Sequence, residues 1–459
     1  MSFKEMAQHF VLVCQIMTFE IDTVPKARLC RLRSDIMSNL LDSLWQRPKT
    51  GARLAALYGA ADVEHLKARY EALAERYTDR FGAVDGPLYV FSAPGRTEIG
   101  GNHTDHNNGR VLAAAVNLDT VAVVCPRSDG VIIVDSEGFP SIEIHTDDLA
   151  VNEAEFGTTT ALIRGTAGAL AERGMKVGGF NAVITSSVAR GSGLSSSAAF
   201  EVLIAAILDG LYNGFVIDSQ TRAEIAQEVE NRWFGKPCGL MDQMASSVGG
   251  LVTIDFEQPR AKVEALAYDF AAKGYALCVV NTGGDHGDLT DDYAAIRSEM
   301  ESVAEAMGAH VLREVPVEVF EARLPEIREK VGDRALLRAM HFYDDNARVV
   351  EQVEALRADD LVGFFDAVRR SGDSSWEMLQ NIYARPNEEQ MALGIALTRR
   401  FLAGTGAVRV HGGGFAGTIQ AYVPLAQLEA YKAYIEKVFG KGSCIPLMIR
   451  PEGAVMMTV

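Results

Sequence analysis

Three stretches of this chain gather the residue types that phosphoryl chemistry needs. In SSVARGSGLSSSAAFEVL, glycines and serines sit between an apolar strand and an apolar helix. Gly191 and Gly193 permit close backbone approach there, and Ser195, Ser196 and Ser197 supply hydroxyls. The helix that starts at these serines points unpaired N–H groups at whatever lies in front, which suits a triphosphate. The same letters also describe a flexible turn capped by serines. The loop is not of the G-x-x-x-x-G-K-[ST] type, because the lysine is missing.

The second stretch, SAPGRTEIGGNHTDHNNG from Ser92 to Gly109, crowds Arg96, Glu98, Asn102, His103, Asp105 and His106 between strands. Polar groups converging from one loop can satisfy the hydroxyls of a sugar and reject analogues that lack one. Two other readings stay open: His103, Asp105 and His106 as metal ligands, and a purely structural glycine loop. The third stretch, KPCGLMDQMASSVGG, holds Asp242 after a helix ending near Phe234. Transfer to a hydroxyl needs an oriented nucleophile, and a carboxylate held near a cation can both position that hydroxyl and accept its proton. Arg96 is the candidate cation. By itself an aspartate in a turn is more often a cap, so Asp242 takes this role from its company.

Regular elements must position these loops. Helical spacing of Leu54, Leu57 and Tyr58, then Leu66, Tyr70, Leu73 and Tyr77, predicts a helical preface over 38–82. From Leu88 the pattern becomes that of strands joined by tight turns, followed by a helix over 158–173, a strand at FNAVITSSV, a buried helix after the serines and another helix over 220–234. YALCVVNT opens a second mixed region, helix-rich from Asp291 to about Tyr383. AVRVHGGGFAGTIQAYV, LAQLEAYKAYIEKVF and SCIPLMIR then read as strand, turn, strand, helix and strand. That order predicts an α+β domain with helices on one face of an antiparallel sheet.

With 459 residues, 48% hydrophobic and 23% charged, the chain can bury a substantial core. Its length fits about two or three domains. A formal net charge of -17 argues against a general polyanion-binding surface, so no nucleic-acid partner is expected. Local donors and a divalent cation would still allow ATP to bind. The six cysteines are scattered without a C-x-x-C pair, which fits a reducing compartment. No long apolar run suggests a membrane span, and the expected location is the cytoplasm. Residues 1–36 show weak periodicity and read as an extension or a misassigned start, with Met37 opening the first organised helix.

In order and at suitable distances, APGRTEIGGNHTDH, GSGLSSSAAFE, CGLMDQ and VHGGGFAG resemble the motifs of galactokinases within the GHMP kinase superfamily, over about residues 86–459. The resemblance implies an α+β, two-lobed fold with the active site in the cleft. A helical extension would fill 1–85, a mixed α/β N-terminal lobe 86–270, and a ferredoxin-like α+β C-terminal lobe 271–459. It also implies an ATP-dependent sugar-1-kinase of galactose metabolism, working with ATP and Mg2+ on small molecules, away from nucleic acid and membranes. Arg96 and Asp242 would be the catalytic pair. Asn102, His103, Asp105, Gly239 and Tyr293 would line the sugar. Gly191, Ser192, Gly193, Leu194, Ser195, Ser196, Ser197 and Ala198 would form the phosphate loop. Ser197 and Glu230 would hold the magnesium, and Gly412 to Gly414 would form a glycine turn beside both ligands.

The chain departs from that pattern at named places. Asn102 stands where galactokinases usually carry a glutamate, His106 replaces a tyrosine, and Ala189-Arg190 replaces an early proline. An asparagine can donate as well as accept, so a C6 carboxylate would be repelled less, which opens galacturonate as a second acceptor. A reading of another class is a catalytically silent sugar sensor on the same scaffold. The presence of Arg96, Asp242 and the full SSSAA run favours turnover.

Overall fold

The computed structural model describes residues 48–59, 63–82, 88–188, 193–283, 289–415 and 417–458. Helices α1 (Pro48–Tyr58) and α2 (Val63–Phe81) precede the strands β1 (Tyr89–Gly100), β2 (Arg110–Arg127), β3 (Val131–Ser136) and β4 (Ile142–His145). Then follow α3 (Thr159–Glu172), β5 (Gly179–Ser186), α4 (Ser196–Tyr212), α5 (Ser219–Arg232), α6 (Met241–Val248), β6 (Leu251–Asp255) and β7 (Lys262–Leu266). These seven strands and one from the far end of the chain form an eight-stranded sheet in which the long β2 pairs with β1, β5 and β6.

The period of two in these strands divides the sheet's two faces. Phe91, Ala93, Ala122 and Val124 pack in one core with Ile163, Ala167 and Leu170 of α3, Val202, Leu203 and Ile204 of α4, and Ile225 and Val229 of α5. Their neighbours Val90, Val121, Val123 and Cys125 face the other way, onto Leu54, Leu57, Tyr58, Leu66, Tyr70, Leu73 and Tyr77. The helical preface therefore covers the sheet's second face, and its apolar stripe is the one the spacing indicates. Under it Asp119, fully buried, accepts hydrogen bonds from the hydroxyls of Tyr58 and Ser92, from Arg69 Nη1 at 2.6 Å and from Arg450 Nη1 at 3.2 Å. Burial alone would raise this carboxyl, but Arg69 and Arg450 outweigh it and hold it below the ordinary aspartate range.

After β8 (Tyr275–Asn281) the chain is helical through α7 (Thr290–Ala306), α8 (Val317–Ala322), α9 (Leu324–Val331), α10 (Asp333–Arg357), α11 (Leu361–Ser374) and, after one π-helical turn at Ser375–Leu379, α12 (Gln390–Leu402). β9 (Ala407–His411), β10 (Thr418–Pro424), α13 (Leu428–Phe439) and β11 (Cys444–Leu447) complete a four-stranded antiparallel sheet in the order β11-β8-β10-β9. This is the order of the β-α-β-β-α-β unit, with α12 and α13 on one face. The other face is also covered: Leu277, Val279 and Tyr422 meet Val353 and Leu356 of α10 and Phe364, Phe365 and Val368 of α11, together with Ile99 and Leu112 from the first sheet. The lobes thus share a core.

The last strand, β12 (Val455–Thr458), leaves the second sheet and pairs antiparallel with β1. A second lobe drawn as 271–459 therefore runs past its own sheet, and the chain's end belongs to the first. Among the described residues no helix is long and apolar enough to cross a membrane.

Candidate active site

The site forms where β1 ends, where α4 and α6 begin, and where the turn between β9 and β10 approaches from the other lobe. Arg96 lies on β1 at a shift in its register with β2, a device that re-aims side chains. It is nearly buried and grips Asp242, in the first turn of α6, with Nε to Oδ1 at 2.7 Å and Nη2 to Oδ2 at 2.9 Å. Its Nη1 donates to the Gly193 carbonyl, and its backbone N–H donates to Leu194 O at 3.0 Å. The Ser92–Gly109 loop and the turn holding Asp242 are joined by one guanidinium, and the phosphate loop is tied to it.

Asp242 keeps 31% of its side chain exposed. Burial pushes its carboxyl up, but Arg96, through charge and hydrogen bonds, and the Ser195 hydroxyl bring it below the ordinary aspartate value. It is therefore ionised at neutral pH. Ser195 sits in the left-handed region at φ 56° as the residue before α4, and its hydroxyl donates to Asp242 Oδ2 instead of capping the helix. Three bonds thus reach Asp242, and a carboxylate offers about four acceptor positions, so one remains for a substrate hydroxyl.

Ser196, Ser197 and Ala198 form the first turn of α4, where backbone N–H groups have no helical partner. Ser197 is exposed at that start. Gly193 and Leu194 lead into it, while Gly191 and Ser192, with Ala189 and Arg190, lie outside the described residues, as do residues 1–47 with the expected helix start at Met37. Glu230, near the end of α5, is buried and accepts from Gln243 Nε2 at 2.9 Å, with Lys236 Nζ at 3.4 Å.

On the sugar loop, His103 Nε2 meets Gly413 O at 3.0 Å. Burial, with His106 stacked beside it, lowers the His103 imidazole to about 3. The ring is therefore neutral, with the hydrogen on Nε2 and Nδ1 left as an acceptor. Asp105 Oδ1 accepts the His106 N–H at 3.0 Å. A Cβ at Gly239 would overlap Asp105 Oδ2, so glycine lets the Asp105 carboxylate sit against the backbone of the second loop. Tyr293 donates to Gly414 O at 2.8 Å, and a Cβ at Gly413 would lie 2.6 Å from its ring. His103, Asp105, Gly239, Tyr293 and the glycine turn do converge. Among the described residues no group of three His, Cys, Asp or Glu side chains, His103, Asp105 and His106 included, is placed to hold a metal ion.

Asn102 corrects the expectation of a direct sugar ligand. It is fully buried, and Nδ2 donates to Glu98 Oε1 at 2.9 Å and Gly412 O at 2.8 Å. Its Oδ1 accepts from Asn381 Nδ2 at 2.8 Å and the Ser375 hydroxyl at 3.3 Å. Both amide hydrogens and both oxygen lone pairs are taken by protein groups. Asn102 is a pin between the lobes. Beside it Glu98 pairs with Arg409 at 2.9 Å, both buried, and burial pushes the Glu98 carboxyl up to about 7 even though Arg409 and Arg96 oppose the shift. Sequence reading named Glu98 without a role and missed Arg409, Asn381 and Ser375, whose letters carry no local signal.

Residues 75–126 match a family described as the galactokinase galactose-binding signature, and residues 161–250 match the GHMP kinases N terminal domain. A galactokinase of Streptomyces coelicolor is 31% identical over 372 residues, 80% of this chain and 92% of that protein. Among solved structures, Lactococcus lactis galactokinase complexed with galactose is similar with a TM-score of 0.74 at 22% identity, covering 84% of this chain and 99% of that one. Methanococcus jannaschii mevalonate kinase is similar with a TM-score of 0.56 at 16% identity, covering 80% and 99%.

Proposed function

This chain belongs to the galactokinase family of GHMP kinases, and from that premise we propose that it transfers the γ-phosphoryl group of ATP to the anomeric hydroxyl of galactose. The observation that carries the chemistry is the doubly bonded Arg96–Asp242 pair, joined to the phosphate loop through Gly193 and Leu194. The open acceptor position on Asp242 receives the sugar's O1 hydroxyl. The O1–phosphorus bond forms as the bond from the γ-phosphorus to the bridging oxygen breaks, and ADP leaves. A carboxylate held below the ordinary aspartate value is a weak base toward a free alcohol. It takes the proton late, when attack on phosphorus has made the hydroxyl acidic. Arg96 keeps Asp242 ionised and offers charge to the phosphoryl oxygens.

The N-terminal turn of α4, from Ser195 to Ala198, supplies backbone donors for the ATP phosphates. His103, Asp105, Gly239 and Tyr293 line the sugar. For Mg2+, the donors present are oxygens: the Ser197 hydroxyl and the Glu230 carboxylate, with buried, unpartnered Glu201 Oε1 and Gln243 Oε1 behind them. A hard cation that keeps several waters and substrate phosphates as ligands fits that set. When bound it neutralises phosphate charge. The case for galacturonate rested on Asn102, and with both faces of that amide occupied by protein groups it has lost its support. Such chemistry suits the cytoplasm, where ATP is made available.

An ADP-release assay over a sugar panel tests the proposal. ADP formation with galactose well above that with galacturonate, glucose and mevalonate is expected. No ADP with any sugar would leave the silent-sensor reading standing instead.

A further inference from the structure

Behind the phosphate side of the cleft lies a set of buried polar groups that the ion pair does not use. Gln243 follows Asp242 on α6, and its side chain points into the protein, 1% exposed. Nε2 donates to Glu230 Oε2 at 2.9 Å and to Glu201 Oε2 at 3.2 Å. Glu201 is fully buried on α4, just over a helical turn beyond Ser197. Two carboxyl groups this deep around one amide are expensive to keep in a core. A glutamine suits the place because its NH2 group has one hydrogen for each acid, whereas a glutamate would add a third acid and a methionine would hold neither.

Resting on the reading of Ser197 and Glu230 as the protein ligands of the divalent cation, we propose that Gln243 is a positioning residue for phosphoryl transfer. Its amide fixes the Glu230 carboxylate against Glu201, so that the cation's oxygen ligand and the base Asp242 are set from the same helical turn. The carboxylate would otherwise be free to rotate toward Lys236, a 64% exposed partner at 3.4 Å. Ligating carboxylates that lose such outer partners typically lose about 10- to 100-fold in metal affinity.

The test is Mn2+ binding to the full chain with ADP present, followed by the loss of the free Mn2+ paramagnetic signal, alongside galactose affinity by calorimetry. Gln243→Met is expected to weaken Mn2+ binding about 10- to 100-fold with galactose affinity unchanged. Glu201→Gln, which leaves an oxygen for the Gln243 amide, should retain it within about threefold, since an amide oxygen still accepts. Should Gln243→Met not fold, Gln243→Asn, which withdraws the same amide by one methylene, carries the same expectation. If Glu230→Gln loses Mn2+ while the Gln243 variants bind it as the wild type does, the positioning role is overturned. If Glu230→Gln itself binds Mn2+ normally, the ligand reading beneath it falls, and the inference with it. Equal losses in Mn2+ and galactose binding would mark Gln243 as a general packing residue and also overturn it.

Discussion

Arg96 and Asp242 stand 146 positions apart in the chain and meet through two parallel hydrogen bonds of 2.7 and 2.9 Å. Such a fork fixes the carboxylate plane as well as its charge. Asp242→Asn would turn an amide hydrogen toward the guanidinium and remove the proton acceptor. We expect kcat to fall about 10²- to 10⁴-fold, with galactose still bound, because the sugar's other contacts remain. Arg96→Lys should also be slow, since an ammonium cannot form the fork. Calorimetric sugar binding and turnover measured together decide it, and near-normal kcat in Asp242→Asn would remove the proposed base.

Ser195 spends its hydroxyl on Asp242 Oδ2, which favours the charged carboxylate. Ser195→Ala removes that donor, so the Asp242 pKa must rise and the acidic limb of the kcat profile must move to higher pH. A hydrogen bond to a charged group is worth roughly 1.5–3 kcal/mol, which corresponds to a displacement of about one to two pH units. A limb that does not move would separate Ser195 from the base.

Which features could be read from the sequence follows from the range of the interactions. The stripe from Leu54 to Tyr77 is local, and a helix that repeats it must bury that face; the sheet supplies the partner. Arg96, Asp242 and the serine loop were legible because short runs of letters carry their chemistry. The pin at Asn102 was not, because apart from Glu98 its side-chain partners lie 273, 279 and 310 residues away and nothing local distinguishes an asparagine that meets them from one that meets a sugar. Likewise, which of three adjacent serines turns to Asp242 depends on the left-handed backbone at Ser195. β12 is four residues long, too short for a pattern, and its place beside β1 is set by tertiary packing.

Glu98 gives a stability prediction with a definite sign. Its folded value of about 7 lies above the ordinary value of 4.5, so between these limits the folded chain holds a proton that the unfolded chain has released. Stability supplied by this group is complete below the unfolded value and is lost as pH rises toward 7. Glu98→Gln keeps an acceptor for Asn102 and Arg409 but cannot ionise. The wild type should therefore lose stability relative to Glu98→Gln as pH climbs from 4.5 to 7, by an amount on the order of 3 kcal/mol. Denaturant melts of both proteins across that range would show it, and parallel curves would mean that Glu98 is ionised throughout.

The pin itself can be tested by reversing its chemistry. Asn102→Glu would place a second carboxylate against Glu98 Oε1 and the Gly412 carbonyl, two acceptors that now receive N–H groups. Removing those donors while adding a buried charge should cost about 3–5 kcal/mol, visible as a lower denaturation midpoint. The exchange Glu98→Asn with Asn102→Glu returns the pair to one acid and one amide. The carboxylate introduced at position 102 could still accept from Asn381 and Ser375, so the double variant should recover a large part of the loss, a coupling that two independent sites would not show. Sugar discrimination responds differently under the two roles. A residue enclosed by Glu98, Gly412, Asn381 and Ser375 changes the stability of the lobe contact first, leaving the ratio of galactose to galacturonate turnover near its wild-type value in whatever protein remains folded. A variant that stays stable while that ratio shifts would mean that position 102 meets the sugar directly, and the pin would be the wrong account of it.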